Sequence, residues 1–374
     1  MSTIGTTAPS QHTINYNDLL STTLFNYRST IFDNIFKQSA YMAALKTYGG
    51  VDYQNGGERI QRLLMYETNS TAKSYRGYDI IDTTPQDGFT SAFYEWCELA
   101  ATISISRREK RQNSSEWQIA DLLKAKIKQA EMSLKQAVNQ QLVQGTVYSG
   151  GTTFIPGNDS KDLFPLGYFL AAKTASADGT LTDPLSGGNV GNISRSTYSW
   201  WRHNTGSGGA TAAGGEKVGA AATTYKGLER ILMSMYNYCT RGADGSAPNI
   251  ILTDQLTYET YSFARDQKYQ TTDLNLAQMG FDNVKLKAAT VVWDELVPDM
   301  YSGTTAVTYG TAFFINTEFY KLVIDKETDF TTTPFLENEQ QTADSAKILF
   351  MGNATSTNQR KHGVLYRLNQ AIVS

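Results

Sequence analysis

The stretch that most limits what this chain can fold into runs from Asn113 to Gly145 without a Pro or Gly inside it. Asn113 is a good helix N-cap, and Glu116 three residues later completes a capping-box pattern. Gly145 is well placed as a left-handed terminator, so the spacing predicts one helix over 113–145. Ile119, Leu123, Ile127, Ala130, Leu134 and Ala137 recur at steps of four and three, the period of one helix face, and are the predicted packing positions. Asp121, Lys128, Lys135 and Asn139 fall on the opposite face. At about 1.5 Å per residue such a helix spans roughly 45 Å, so the fold has to supply a long surface to cover it.

The residues before it read as a helix and a protruding hairpin. Ser29 to Tyr48 carries Ile31, Ile35, Met42 and Leu45 on one face and closes at Gly49-Gly50. From Glu58 the pattern turns to strand, with Ile60, Leu64 and Tyr66 among Arg59, Gln61 and Arg62. A polar stretch, Thr68 to Gly88, holds Lys73, Tyr75, Arg76 and Tyr78, and a second strand is predicted from Ala92 to Ser106. Two strands around a polar tip with few apolar neighbours are marginal alone, so another surface is expected to hold them. Lys73, Tyr75, Arg76 and Tyr78 are the candidate contacts at that surface. The basic run Arg107-Arg108-Glu109-Lys110-Arg111 then leads into the long helix as a hinge. It reads as a solvated face, as a set of intersubunit ion pairs, or as a nucleic-acid contact.

After Gly145 the chain is rich in Gly, Ser, Thr and Ala to residue 222. Two segments stand out: the apolar Phe164–Ala172, and Gly191–Arg202, where Trp200 and Trp201 lie near Arg195 and Arg202. Gly206 to Gly219 is a flexible loop by composition. From Thr223 the pattern is α/β: a helix over Tyr225–Cys239, a buried strand Asn249–Thr253, and a helix capped by Asp254 to Gln267. Further strands are predicted at Val284–Trp293, Ala312–Asn316 and Lys321–Ile324. Lys347–Met351 and Val364–Leu368 are expected to form a closing hairpin around Asn353–His362.

Chemistry is sparse. The three histidines, His12, His203 and His362, lack metal-ligand spacing, so no metal or other cofactor is expected. Gly206-Ser207-Gly208 has no strand before it, and Gly214-Gly215-Glu216-Lys217-Val218 lacks the hydroxyl that a phosphate cradle ends on. Asp294 and Glu295 would point to opposite sides of a strand, a poor arrangement for shared acid–base work. A net charge of −3 over 374 residues argues against a dedicated nucleic-acid binder. Cys97 and Cys239 could pair, but two buried thiols in a reducing compartment are the expectation. With neither a signal segment at Met1–Ser10 nor an apolar run near 18 residues, a soluble intracellular protein without membrane contact is expected.

The order of these parts resembles the major capsid proteins of tailed bacteriophages, with their HK97-like α+β fold. The resemblance rests on Ala92-Phe93-Tyr94-Glu95-Trp96 before Ile103-Ser104-Ile105-Ser106, on Trp200-Trp201-Arg202, and on Pro248-Asn249-Ile250-Ile251-Leu252-Thr253 entering a helix. It implies an N-terminal arm at 1–50 and an extended hairpin (E-loop) at 51–106. A P domain at 107–222 would contain the spine helix, followed by an A domain at 223–345 and strands returning to the P domain at 346–374. The implied function is a structural, non-enzymatic one: self-assembly as hexamers and pentamers into an icosahedral shell around double-stranded DNA. Implied partners are further copies of the chain, a scaffolding protein, a portal and a decoration protein. The DNA would be touched weakly and without sequence specificity. With so few residues before the hairpin, a separate scaffolding protein is expected rather than a cleaved N-terminal one. The implied location is the virion, after assembly in the host bacterial cytoplasm. Two other readings stay open: an encapsulin-like nanocompartment, and a β-rich protein binding a host surface or polysaccharide, as the Tyr, Trp and Thr content suggests. A hydrolase using Asp294 or Glu295 is the remaining one.

Overall fold

In the computed structural model, Ile250–Thr253 forms an inner strand of a six-stranded sheet, and all four of its residues are buried. The described residues are 39–112, 122–147, 154–155, 161–171, 189–207, 226–242, 245–264, 284–298, 309–337 and 342–369. The expectations for Asn113, Glu116, Ile119, Asp121 and the arm before Ser39 therefore lie outside them. In chain order the elements are α1 (Ala40–Thr47), β1 (Val51–Gln54), β2 (Ile60–Met65), β3 (Phe89–Tyr94), β4 (Cys97–Ser106), α2 (Arg107–Gln112) and α3 (Leu122–Val143). There follow β5 (Thr146–Val147), β6 (Phe154–Ile155), α4 (Leu166–Phe169), β7 (Asn189–Val190), β8 (Ile193–Ser194), β9 (Asn204–Ser207), α5 (Lys226–Thr240), β10 (Ile250–Thr253) and α6 (Gln255–Ala264). The last are β11 (Val284–Leu286), β12 (Ala289–Trp293), β13 (Tyr309–Ile315), β14 (Tyr320–Asp325), β15 (Thr331–Thr332), β16 (Leu336–Glu337), β17 (Ala343–Ser356) and β18 (Gly363–Asn369).

The larger of two compact units comprises Gln38–Glu98, Val138–Asp329 and Met351–Ser374. Its main sheet has the order β11-β12-β10-β13-β18-β9. Helices α5 and α6 cover one face, where Ile231, Leu232, Met235 and Tyr261 pack with Ile251, Val291, Phe314 and Leu365. A strand buried on both faces reads as a continuous apolar run, which is why Ile250-Ile251-Leu252 was legible as core. Asp254 caps α6 as expected: its Oδ2 accepts from the Thr257 N–H at 3.1 Å and its Oδ1 from the Thr311 N–H at 2.9 Å. The helix read over Ser29–Tyr48 is corrected to α1, which starts after Ser39, an N-cap in extended backbone whose Oγ accepts from the Met42 N–H. It packs against β12 with Tyr41 and Leu45 buried, and Gly49, at φ +67°, ends it as the sequence predicts. In the same unit β14 pairs in parallel with β1 and antiparallel with Gly352–Ser356 of β17.

The smaller unit comprises Leu99–Ala137 and Phe330–Phe350 in its described residues. Here β15 and β16 pair with the first half of β17. Helix α2 begins directly after β4 with a capping box that the sequence reading did not find: the Ser106 Oγ accepts from the Glu109 N–H at 3.2 Å, and Glu109 Oε2 accepts from the Ser106 N–H at 3.1 Å. Lys126 Nζ sits 3.2 Å from the same Glu109 carboxylate. Backbone and ammonium donors hold that carboxyl below its ordinary range against the opposing push of partial burial. The basic run Arg107–Arg111, read as a hinge, is thus helical.

Four further expectations are corrected. The strand read as continuous over 92–106 breaks at Glu95–Trp96, because β3 pairs with β2 whereas β4 pairs with β17. Val284–Trp293 is a tight hairpin, turned at Lys287 with φ +53°. The C-terminal strands do not form a hairpin: β17 pairs with β14, β15 and β16, while β18 inserts between β13 and β9 of the other sheet. Asn139, assigned to the polar face of the long helix, is buried. Its Oδ1 lies 2.8 Å from the Ser39 Oγ, which also approaches Asp294 Oδ2 at 3.0 Å. A buried amide is tolerated when it is bonded, and periodicity alone does not reveal the distant partner.

Candidate assembly interface

The hairpin β2–β3 pairs antiparallel over six residue pairs, from Ile60↔Tyr94 to Met65↔Phe89. Alternation places Ile60, Arg62, Leu64, Ala92 and Tyr94 on one face and Leu63, Met65, Phe89 and Phe93 on the other. The first face is committed to the chain's own body. Ile60, Leu64, Ala92 and Tyr94 are buried, and Arg62 Nη2 lies 2.8 Å from Asp52 Oδ2. Tyr94 donates its phenol to the Ser356 carbonyl at 2.8 Å, and burial pushes that phenol well up.

The root of the hairpin is clamped from two sides. Val190, Gly191, Asn192 and Ile193 form a tight turn with φ +58° at Gly191 and +65° at Asn192. The Gly191 carbonyl accepts from the Phe93 N–H at 3.1 Å. A Cβ at Gly191 would stand 2.8 Å from the Ala92 Cβ, so only glycine permits this approach. Trp200 stacks on Tyr66 at 5.1 Å, and Trp201, buried, donates Nε1–H to the Val190 carbonyl at 3.0 Å. Arg195 is buried as well. Its Nη2 donates to the Tyr168 and Phe169 carbonyls, and burial lowers its guanidinium to about 10. On the other side the Asn353 amide donates to the Glu95 carbonyl at 2.7 Å, and its Oδ1 accepts from the Phe164 N–H at 3.0 Å. One buried amide thus fixes the place where β3 gives way to β4.

No described residue covers the outer face. Leu63 is 71% exposed, Met65 72% and Phe89 63%, and the tip adds exposed Tyr75, Tyr78, Ile80 and Ile81. Lone exposed apolar residues are ordinary, but a contiguous row on a clamped hairpin marks an interaction surface. Full burial of a large apolar side chain is worth roughly 1.5–3 kcal/mol. Covering Leu63, Met65, Phe89 and Phe93 would therefore contribute on the order of 5 kcal/mol before association costs.

The tip is shaped by short polar turns. Asn69 Oδ1 accepts from Thr71, Asp82 Oδ1 accepts from Thr84, and Ser70 Oγ reaches Gln86 Oε1 at 2.9 Å across the loop. Hydrogen bonds from Thr84 hold the Asp82 carboxyl below its ordinary range. Lys73, Tyr75, Arg76 and Tyr78 all lie exposed on this one loop, where Asp79 accepts from the Arg76 N–H. Arg107, Arg108, Lys110 and Arg111 lie together on α2. Of the predicted packing positions on the long helix, Leu134 is buried and Ile127 and Ala130 are half-buried. Ile119 and the Leu123 side chain fall outside the described part. The buried row continues through Val138 and Leu142, a four-residue step that the sequence reading stopped short of.

Among the described residues no group of three His, Cys, Asp or Glu is placed to hold a metal ion, and no helix is long and apolar enough to cross a membrane. Cys97 and Cys239 are buried and form no disulfide, and burial pushes both thiols up to about 12, far from a nucleophilic thiolate. Asp294 and Glu295 lie past the end of β12 rather than within a strand; Asp294 is buried, with Oδ1 accepting from the Leu296 N–H, while Glu295 is exposed.

No protein-family model and no curated protein matches the chain. Solved structures do. The capsid asymmetric unit of cyanophage A-1(L) superposes with a TM-score of 0.61 at 13% identity, covering 93% of this chain and 97% of that one. The capsid of an empty GTA particle gives 0.55 at 11% identity, with 91% and 94% covered. A holo-SrpI encapsulin complex from Synechococcus elongatus PCC 7942 gives 0.50 at 6% identity, with 92% and 95% covered. The chain therefore has the HK97-like α+β fold of capsid subunits over nearly its whole length.

Proposed function

We propose that this chain, with its capsid-type fold, is the structural subunit of an icosahedral shell that packs as hexamers and pentamers around double-stranded phage DNA. The observation that carries this reading is the clamped hairpin with an exposed apolar outer face. A free hairpin would gain nothing from such a face, whereas one laid on a neighbouring copy buries it. In this reading 1–50 is the arm and 51–106 the E-loop. Residues 107–222 are the P domain, 223–345 the A domain, and 346–374 the closing strands. Lys73, Tyr75, Arg76 and Tyr78 meet the neighbouring subunit at the hairpin tip, and Arg107, Arg108, Lys110 and Arg111 offer ion pairs near its base. Ile119, Leu123, Ile127, Ala130 and Leu134 seat the spine helix. Many modest contacts repeated by symmetry give a stable shell without any single strong pair. A net charge of −3 suits a wall that touches DNA weakly and releases it. A scaffolding protein, a portal and a decoration protein are the further partners of this reading, and the virion, assembled in the bacterial cytoplasm, is its location. The role is mechanical rather than catalytic.

The likeness to an encapsulin gives a second reading, a protein shell around an enzyme cargo. Electron microscopy of material from the native source separates them. DNA-filled icosahedral particles built from this chain support the capsid, an enzyme-loaded shell supports the nanocompartment, and no shell refutes both. Deleting Thr68 to Asp87 should leave a folded subunit that cannot close shells. Loss of the fold itself would contradict an intersubunit role for the hairpin.

A further inference from the structure

Near the clamp around the hairpin root, a set of buried polar side chains carries atoms that find no partner among the described residues. His203, Gln359 and His362 are all but fully buried. They are neighbours by construction. The Asn204 N–H donates to the His362 carbonyl at 3.1 Å, with Asn204 and Gly363 paired in the parallel ladder. The two histidines therefore enter adjacent strands side by side. Gln359 lies one tight turn earlier, its carbonyl accepting from the His362 N–H at 3.1 Å.

Backbone partners fix both tautomers. His362 Nδ1 accepts from the Asn316 N–H at 3.2 Å, so its proton sits on Nε2, and that donor has no acceptor among the described residues. His203 places Nε2 2.8 Å from the Ala171 carbonyl, which only accepts, so its Nδ1 is a lone pair with no donor among them. Gln359 Nε2 and Oε1 likewise find no partner among the described residues. Arg195 is electrostatically coupled to His203, and its Nε–H is a further unmatched donor. Buried polar groups in folded proteins are almost always satisfied, by ordered water where the chain itself does not reach.

The geometry points to a sealed binding site for internal water lined by His203, Gln359 and His362, with the Arg195 Nε–H at its margin. The chemistry of the lining selects the occupant. An anion would face the His203 lone pair and the Gln359 carbonyl oxygen, and a metal cation would face the His362 N–H and the Arg195 guanidinium. Water, donor and acceptor at once, matches a lining that offers both.

Gln359→Met tests this by the direction of its effect, because Met keeps the length of the side chain and deletes both amide atoms. With water bound, the water loses its partners, and the unfolding equilibrium in urea should shift about tenfold toward the unfolded chain. If the amide atoms are bare, the same change removes two unsatisfied groups and the urea midpoint rises, which would overturn the proposal. The second arm is a density map of the unaltered protein near 2 Å resolution. Peaks within hydrogen-bonding distance of His362 Nε2 and the Gln359 amide are expected. An empty site, or a peak that strengthens with added phosphate or chloride, would refute it, and this arm decides alone if the variant does not fold.

Discussion

Acid should weaken this subunit through His362, and the size of the effect follows from its surroundings. The ring is fully enclosed, and burial lowers its pKa from 6.5 to about 3. The unfolded chain thus binds a proton near pH 6.5 that the folded chain refuses. Stability is complete above that pH and falls as pH drops toward 3, with a limiting slope of ~1.4 kcal/mol per pH unit. Between pH 7 and pH 5 this one group removes about 2 kcal/mol. His203, shifted well below its ordinary value by burial and by the nearby Arg195, acts in the same direction. The test is urea unfolding of purified subunits, followed by tryptophan fluorescence at pH 7, 6 and 5. His362→Asn retains an acceptor for the Asn316 N–H and removes the titration. Whatever its absolute stability, its loss between pH 7 and 5 should be smaller by about 2 kcal/mol. His203→Gln, which retains a donor toward Ala171, supplies an independent second case. An unchanged pH dependence in both variants would refute the reasoning, because it would mean that neither ring is held neutral by the fold.

Gly191→Ala should free the hairpin root, since a methyl meets the Ala92 Cβ and the backbone is held at positive φ. A loss of about 2 kcal/mol or more and faster hydrogen exchange at the Phe93 amide are expected. Ser106→Ala removes half of the capping box and should cost about 1 kcal/mol in thermal unfolding, more than the same change at the exposed Ser70. Leu134→Asp should prevent folding as judged by circular dichroism, whereas Lys128→Asp, on the exposed face, should leave the subunit folded. The triple change Leu63→Ser, Met65→Ser, Phe89→Ser should keep the melting temperature of the isolated subunit near its original value while abolishing particles in sedimentation. A matching loss of monomer stability would show that this face belongs to the subunit's own core.

The sequence was most informative where a signal is local. Asp254 as a helix cap, Gly49 and Gly145 as terminators and Ile250–Leu252 as buried strand each depend on residues within a few positions of one another, and each holds. The long helix was placed correctly at its C-terminal end, where the Gly145 N–H returns to the Gln140 carbonyl and Gly145 takes φ +56°. The Ser106–Glu109 capping box is as local a signal and was passed over, while the Asn113–Glu116 box lies outside the described residues. Local evidence failed where the deciding partner is distant. The break at Glu95–Trp96 is fixed by Asn353, the burial of Asn139 involves Ser39, and the fate of β18 is set by its pairing with β13. The clamp on the hairpin was visible only as an unusual cluster of Trp and Arg. Its tight Gly191-Asn192 turn could have been recognised as a hairpin signal, but what it grips could not.

The outer face of the hairpin also bears on how the protein must be produced. A two-stranded ribbon with a row of Leu63, Met65 and Phe89 exposed is a surface for indiscriminate association. Each newly made chain carries that hazard until something covers it. Productive and wasteful association then compete as rates, and wasteful association grows more steeply with the concentration of free chains. If the proposed shell is the sink, slow synthesis beside growing particles favours yield, and a burst of expression without a sink for the chains favours precipitate.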